Sequence, residues 1–374
     1  MIRDSLVKLR FFDWKLLAAV FLLIGMGLAA IYSVDLSRGS ELVYFKKQVI
    51  AAGLGAIFLV AAGLTQSSFW RFAAKWLYLG SLLSLAAVLL FGSTIHGTRG
   101  WFSAFGFSFQ PVEFAKIALI LLLSYIIYKF GRKFERPLFF FGTGAVTLLM
   151  LGLVLLQPDL GSAFLLGLVW LGLVWLAGAR RIFILLLLLT VILLGVGSWY
   201  LALKDYQKER LITFVDPGRD QLNAGYNITQ SVIAVGAGKW YGRGLGFGSQ
   251  SQLRFLPEAQ TDFIFSVIGE ELGFAGAAVM LALFAVVFWR LLVFIRSAKD
   301  DFAASASAGA LVLFLTQFFT NVGANIGLVP ITGVTLPFIS YGGSSLAMNL
   351  ALVGILQSLA QSTRAQVDKG ADLS

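Results

Sequence analysis

The 374-residue sequence contains no cysteine. That excludes a disulfide framework, thiolate catalysis and cysteine-ligated zinc. It contains a single histidine, His96, so neither a Ser-His-Asp set nor a multi-histidine metal site is expected. His96 stands just beyond an apolar run and reads as a loop residue. Charge is scarce too, at 13% of residues against about 25% in soluble domains. Acids are the rarer sign, 19 Asp and Glu against 29 Lys and Arg, for a formal net charge of +10. Neither a repeat, nor a low-complexity tract, nor a soluble domain is visible.

What is abundant is apolar surface. Hydrophobic residues make up 58% of the chain and the mean hydropathy is +0.85. A soluble core needs no such excess, so it calls for lipid. About ten runs have the length of a membrane span, for which about 20 residues are needed. They are Trp14–Val34, Gln48–Leu64, Phe69–Phe91, Val112–Tyr128, Leu138–Leu156, Leu160–Ala177, Ile182–Leu203, Phe263–Ile295, Phe302–Asn321 and Ser344–Ala360. The eighth is too long for one simple span and is expected to project beyond the bilayer. The first begins with basic residues but exceeds a signal-peptide core, and reads as a retained helix. The expectation is an all-α polytopic membrane protein. Residues 1–374 form one domain, with a long loop over about 204–260 between the seventh and eighth helices.

Lys and Arg set the orientation. With ten spans, 17 basic residues fall on the side of the N-terminus, while the short loops opposite hold Arg38, Lys46, Lys47 and Arg99. Cytoplasmic loops carry the basic excess, so both termini are expected in the cytoplasm. The net charge then suits anionic headgroups and gives no warrant for nucleic acid. All the unusual polar stretches fall outside: "GTRGWFSAFGFSFQPVEFAK" from Gly97, "QPDLGSA" from Gln157, the long loop with its "FLPEAQTDF" exit, and "PITGVTLPFISYGGSS" from Pro330. They are expected to crowd around one outward-facing mouth, on a rigid scaffold.

Four carboxylates cluster in the "FLPEAQTDFIFSVIGEELGF" stretch: Glu258, Asp262, Glu270 and Glu271. Asp262 opens an apolar helix and reads either as an N-cap or as a half-desolvated carboxylate available as a base. Glu270 and Glu271 lie about 12–13 Å further along. A mid-bilayer charge there costs about 2.5–3.5 kcal/mol or more, so a buried polar network bracing the helices is the favoured reading, and Glu258 stays open. Glu113 and Lys116, three apart in the fourth span, share a helix face. They form an ion pair, or Lys116 meets an anionic ligand. Asp159 reads as a helix cap after Pro158. The "ISYGGSS" turn, with Ser340, Ser344 and Ser345, reads as turn plus N-cap or as an oxyanion site.

Within the long loop, "AGYNITQSVIAVGAGK" has helical spacing and suits a membrane surface. The glycines at 236, 238, 242, 244, 246 and 248 follow no strand, so a nucleotide loop fails on context. A backbone anion nest flanked by Lys239 and Arg243 stands beside a plain flexible loop. From the residues alone, an apolar flank and basic groups suit a lipid-linked diphosphate, and catalysis on it is not separated from transport of it.

The stretches "RGWF…FSFQPVEFAK", "QPDLGSA", "GAGYNITQSVIAVGAGKWYGRG", "QSQLRFLPEAQTDFIFSVIGEELG" and "LPFISYGGSS" resemble the SEDS family (shape, elongation, division and sporulation) over nearly the whole chain. "ITFVDPGRDQLNAGYNITQS" and "SQSQLRFLPE" are more similar to its cell-elongation branch than to its division branch. The resemblance implies a glycosyltransferase that polymerises lipid II on the outer face of the cytoplasmic membrane. It also implies a class B penicillin-binding protein as transpeptidase partner, within an elongation complex of membrane proteins. The family's catalytic Asp falls on Asp262, and its Glu and Lys of the fourth helix on Glu113 and Lys116. Asp262 would then be the base on the acceptor 4-hydroxyl, with undecaprenyl diphosphate leaving. Arg99, Lys116, Lys239 and Arg243 are the candidates for the diphosphate, with Asp159, Glu258 and Ser340 also at the substrate, and a magnesium or manganese ion a possible aid. A lipid II flippase and a non-catalytic scaffold are the rival readings. The polar motifs on one face favour the enzyme, because a flippase needs a polar route from both.

Overall fold

The structure is a computed structural model, which describes residues 10–39, 41–95, 97–104, 107–131, 136–187, 189 and 224–371. The first half runs α1 (Trp14–Leu36), α2 (Val43–Leu64), α3 (Ser67–Phe91), β1 (Ser93–Ile95), β2 (Thr98–Ala104), β3 (Phe107–Phe109), α4 (Pro111–Phe130), α5 (Pro137–Leu155) and α6 (Leu160–Leu176). The second runs α7 (Ala224–Ala237), α8 (Ser249–Gln252), α9 (Ile264–Arg296), α10 (Asp301–Asn325) and α11 (Gly343–Ala371). Among the described residues, eight helices are long and apolar enough to cross a membrane, and α6 is a shorter apolar one. Of the expected seventh span Ile182–Leu203, residues 182–187 are helical; most of the rest, like His96 and loop residues 204–223, lies outside the described residues. Each of the other nine expected runs falls on one helix.

Local chemistry starts these helices. Asp13 accepts from the Leu16 N–H at 3.0 Å at the head of α1, and Asp300 from the Ala303 N–H at 2.9 Å at the head of α10. Pro111 and Pro137 occupy the first turns of α4 and α5, where a missing N–H costs nothing. The helix α2 begins five residues before the apolar run does, because Lys46 and Lys47 break hydropathy but not helical geometry.

The helices α4 and α11 have 78% of their apolar window buried in protein, against 28% for α3. They are therefore central, and α2, α3 and α5 form a lipid-facing shell. Close approach rests on glycine: a Cβ on Gly354 of α11 would strike the Leu59 carbonyl of α2, and one on Gly27 of α1 the Ile339 carbonyl. Such contacts are the usual means of packing helices in lipid. At one end Asp13 is paired with Arg290, Gln357 holds the Asp13 backbone, and Arg71 meets Asp300 at 3.1 Å.

Two features depart from the expected plan. The strands β1, β2 and β3 form a three-stranded antiparallel sheet in that order, with Gly97 at φ 81° just before β2. Alternation over such short segments is overshadowed by the long apolar runs around them. The long eighth helix, α9, is broken at Gly273, whose φ of 65° and ψ of −164° are not helical. From Phe274 to Arg296 it runs about 35 Å, enough to cross the hydrocarbon unaided. Glu270 and Glu271 lie before the break, so their depth cannot be counted along one straight helix.

Candidate active site

The four polar stretches do meet at one end. Gln110, at the head of α4, donates from its side chain to Asp159 at 3.3 Å, and its N–H donates to Ser344 at 3.1 Å. Gly161 lies so close to the Thr332 carbonyl that a Cβ would strike it. Asn321 of α10 donates to the carbonyls of Val334, at 2.9 Å, and Asp262, at 3.2 Å. The Tyr341 N–H donates to the Gln260 carbonyl at 2.8 Å, and the Ser340 hydroxyl to the Thr261 carbonyl at 2.7 Å. Burial pushes the Tyr341 hydroxyl up from its ordinary pKa, with Tyr44 and Asp35 adding to the rise, so it stays protonated.

Asp262 sits at the centre of this mouth, half-buried, beside a shallow cleft of about 10 Å³ whose lining includes Thr320, Asn321, Ala324, Ile331 and Thr332. That is room for about one water, so a large substrate must lie across the mouth rather than within it. The N-cap of α9 is Phe263, with no side-chain cap, so the expected N-cap role of Asp262 is not what the structure has. Its backbone carbonyl is clamped instead, by Asn325 at 2.7 Å as well as by Asn321. Asn325 also accepts from the Ser266 N–H and hydroxyl, tying α10 to the first turn of α9.

The other predicted residues divide sharply. Asp159 caps α6, accepting from the Ser162 N–H at 2.9 Å and hydroxyl at 2.8 Å. Glu113 and Lys116 form an ion pair at 2.7 Å, both buried on the central helix. Ser340 is buried and accepts from the Leu336 N–H besides gripping Thr261, so it pins one loop to another. Glu258 accepts from Gln260 at 3.1 Å. Arg99 donates to the carbonyls of Leu90 and Gly92, satisfying the open end of α3. Lys239 and Arg243 are exposed on the glycine loop, which docks at Glu270, about 12 Å along α9 from Asp262.

The glycine loop is neither a nest nor slack. The N–H groups of Arg243 and Gly244 donate to the carbonyls of Glu270 and Glu271, and that of Gly246 donates to the Ser33 hydroxyl. Lys239 and Trp240 accept in turn from Phe274 and Ala275 across the break in α9. The donors an anion would need are thus engaged. Glycine is required at 238 and 242 because a Cβ would overlap the Gly269 and Glu271 carbonyls. The "SYGG" turn is engaged likewise: the Gly342 N–H donates to Gln48 and that of Tyr341 to Gln260, and Ser344 bonds Ser108 and Gln110 rather than capping α11. An oxyanion role for these N–H groups is corrected accordingly.

Glu270 and Glu271 behave as the scaffold they were read to be. Glu270 accepts from the N–H groups of Gln250 and Ser251 at the start of α8, and Glu271 from Ser33, Ser251 and Gln252. Together they join α1, α8 and α9.

The comparisons with known proteins match this architecture. The family model for FtsW, RodA and SpoVE, described as cell cycle protein, covers residues 13–365. The chain belongs to the SEDS family. A probable peptidoglycan glycosyltransferase FtsW of Thiomicrospira cyclica is 35% identical over 96% of this chain and 94% of its own. The stage V sporulation protein E of Bacillus subtilis is 34% identical over 94% and 98%. A chain solved in a study of how a peptidoglycan synthase complex coordinates polymerization and crosslinking superposes with a TM-score of 0.80, at 30% identity over 94% of this chain and 98% of that one. The rod shape determining protein RodA of Thermus thermophilus gives 0.71 at 28% identity, over 94% and 97%. The protein is thus a polytopic membrane enzyme of a peptidoglycan glycosyltransferase family.

Several residues that build the SEDS mouth are absent from the sequence reading. Asn321, Asn325, Gln48, Gln260 and Ser33 act through amide and hydroxyl bonds that cross 59 to 294 residues of sequence. Their one signal was polarity inside an apolar run, and it names no partner.

Proposed function

We propose that this enzyme polymerises lipid II into glycan strands on the outer face of the cytoplasmic membrane, with Asp262 as the general base. The observation that carries the reading is the convergence of four distant polar stretches on a half-buried carboxylate whose backbone is clamped by Asn321 and Asn325. The base takes the proton of the acceptor 4-hydroxyl. That oxygen attacks C1 of the donor sugar, and undecaprenyl diphosphate departs with the bonding electrons. A buried clamp on the backbone fixes the carboxylate's position. Lys116, within two turns of Gln110, is our candidate for the developing negative charge. Among the described residues no three acidic or histidine side chains converge as metal ligands; a magnesium or manganese ion would be shared between a single carboxylate such as Asp262 and the substrate's own diphosphate, and no step is routed through one.

For cellular role we favour elongation, on the "NAGYNITQS" and "SQSQLRFLPE" stretches, with a class B penicillin-binding protein as crosslinking partner. The names of the sequence relatives favour division as the second reading. Depletion separates them: round cells support elongation, and filaments division. Purified protein given purified lipid II should yield polymer, more when the partner is present. Flipping of labelled lipid II in vesicles without any polymer would replace the enzyme by a transporter.

Sidedness is tested by single cysteines, for which the chain offers no background. A membrane-impermeant thiol reagent on intact cells should label Glu41→Cys, near Arg38 at the Asp262 end, and miss Lys299→Cys at the other. Labelling of Lys299→Cys alone would put Asp262 in the cytoplasm and sink the polymerase reading.

A further inference from the structure

The loop between α7 and α8 presents a surface that the polymerase reading does not use. Trp240, Tyr241 and Phe247 are 68%, 88% and 77% exposed, and exposed Lys239 and Arg243 stand among them. Large contiguous apolar exposure marks an interaction surface. The backbone behind it is fixed, because the loop is hydrogen-bonded to α9 on both sides of Gly273. The rings are held outward by a rigid support.

Position decides what they meet. Trp240 packs edge-on against Phe274, with ring centroids 5.1 Å apart. Phe274 heads an exposed apolar stripe on α9 that continues through Leu281, Trp289 and Leu292. That stripe needs lipid, and from Phe274 to Arg296 the helix spans about 35 Å against about 30 Å of hydrocarbon. Phe274 therefore falls at the hydrocarbon boundary, and the loop lies beside it at headgroup level. Trp and Tyr are enriched at that level, and basic residues there are drawn to lipid phosphates.

We propose that the loop Gly238–Phe247 is an interfacial anchor: Trp240, Tyr241 and Phe247 seat in the leaflet at the Asp262 end, and Lys239 and Arg243 bind phosphates of anionic phospholipids. The same loop grips α9 at its break, so the anchor sets the height of the Asp262 mouth above the hydrocarbon. The inference needs this end to meet a leaflet, whichever leaflet it is, and stands apart from the polymerase assignment.

The test uses the full chain with Tyr241→Cys carrying an environment-sensitive dye, or Phe247→Cys if the first fails to fold. The protein is reconstituted in vesicles of phosphatidylglycerol and phosphatidylethanolamine containing a lipid spin-labelled near its headgroup. The dye should be quenched by the spin-labelled lipid and shielded from iodide in the water. Lys239→Gln and Arg243→Gln should each lower the docked population about fivefold, and phosphatidylcholine vesicles should act like the double variant. Full iodide quenching with no response to the spin-labelled lipid overturns the anchor. So does shielding that arises only when the crosslinking partner is added, since the surface would then belong to a protein. Docking unchanged by both substitutions and by lipid charge removes the phosphate contacts.

Discussion

Asp262→Asn should insert, fold and bind membranes as the parent does, yet lose glycan polymerisation by about 10²–10⁴-fold, the usual range for removing a general base. The amide keeps the size of the carboxylate but has no lone pair basic enough to take a proton. The fold should survive because the near-isosteric amide leaves the backbone grip on this residue intact: Asn321 and Asn325 still hold its carbonyl oxygen. Two measurements are needed on one preparation, the thermal transition in detergent and the rate of polymer formation from purified lipid II. A variant with an unchanged transition and an undiminished rate removes Asp262 from the chemistry. A variant that unfolds shows instead that the carboxylate is part of the scaffold.

The sequence carried the helices well because lipid simplifies the rule: a long apolar run has few alternatives to a helix. It carried Asp159 as a cap and Glu113–Lys116 as a pair because both are local, three residues apart in each case. It carried the convergence of four loops through the count of basic residues, a property of the whole chain. The break at Gly273 was hidden because a glycine inside an apolar run has no distinct pattern, and only the loop docked against it shows why it turns. The spaced glycines carry the same ambiguity, since their pattern suits an anion nest equally well. Spacing shows where the backbone can come close, and not whether its N–H groups face an anion or, as here, the carbonyls of α9. Asn321 and Asn325 were invisible for a related reason, since their partner is a backbone oxygen 59 and 63 residues away.

The pair Glu113–Lys116 offers the other large effect. Both side chains are nearly sealed from solvent, at 7% and 3% exposure, in the most buried part of the bundle. Replacing either by Ala leaves a lone buried charge and should cost about 3–5 kcal/mol of stability. Exchanging them, Glu113→Lys with Lys116→Glu, restores the attraction. It also puts a cation in the first turn of α4, against the helix dipole, which costs about 0.3–1 kcal/mol. The exchange should therefore recover most of the loss but not all of it. Polymerisation then separates the two roles weighed for Lys116. If the exchanged protein regains both stability and activity, the pair is a brace and its direction is indifferent to the substrate. If it regains stability and stays inactive, position 116 must be cationic, as a group facing the leaving diphosphate has to be. Full stability of both single Ala variants would contradict the ion pair itself.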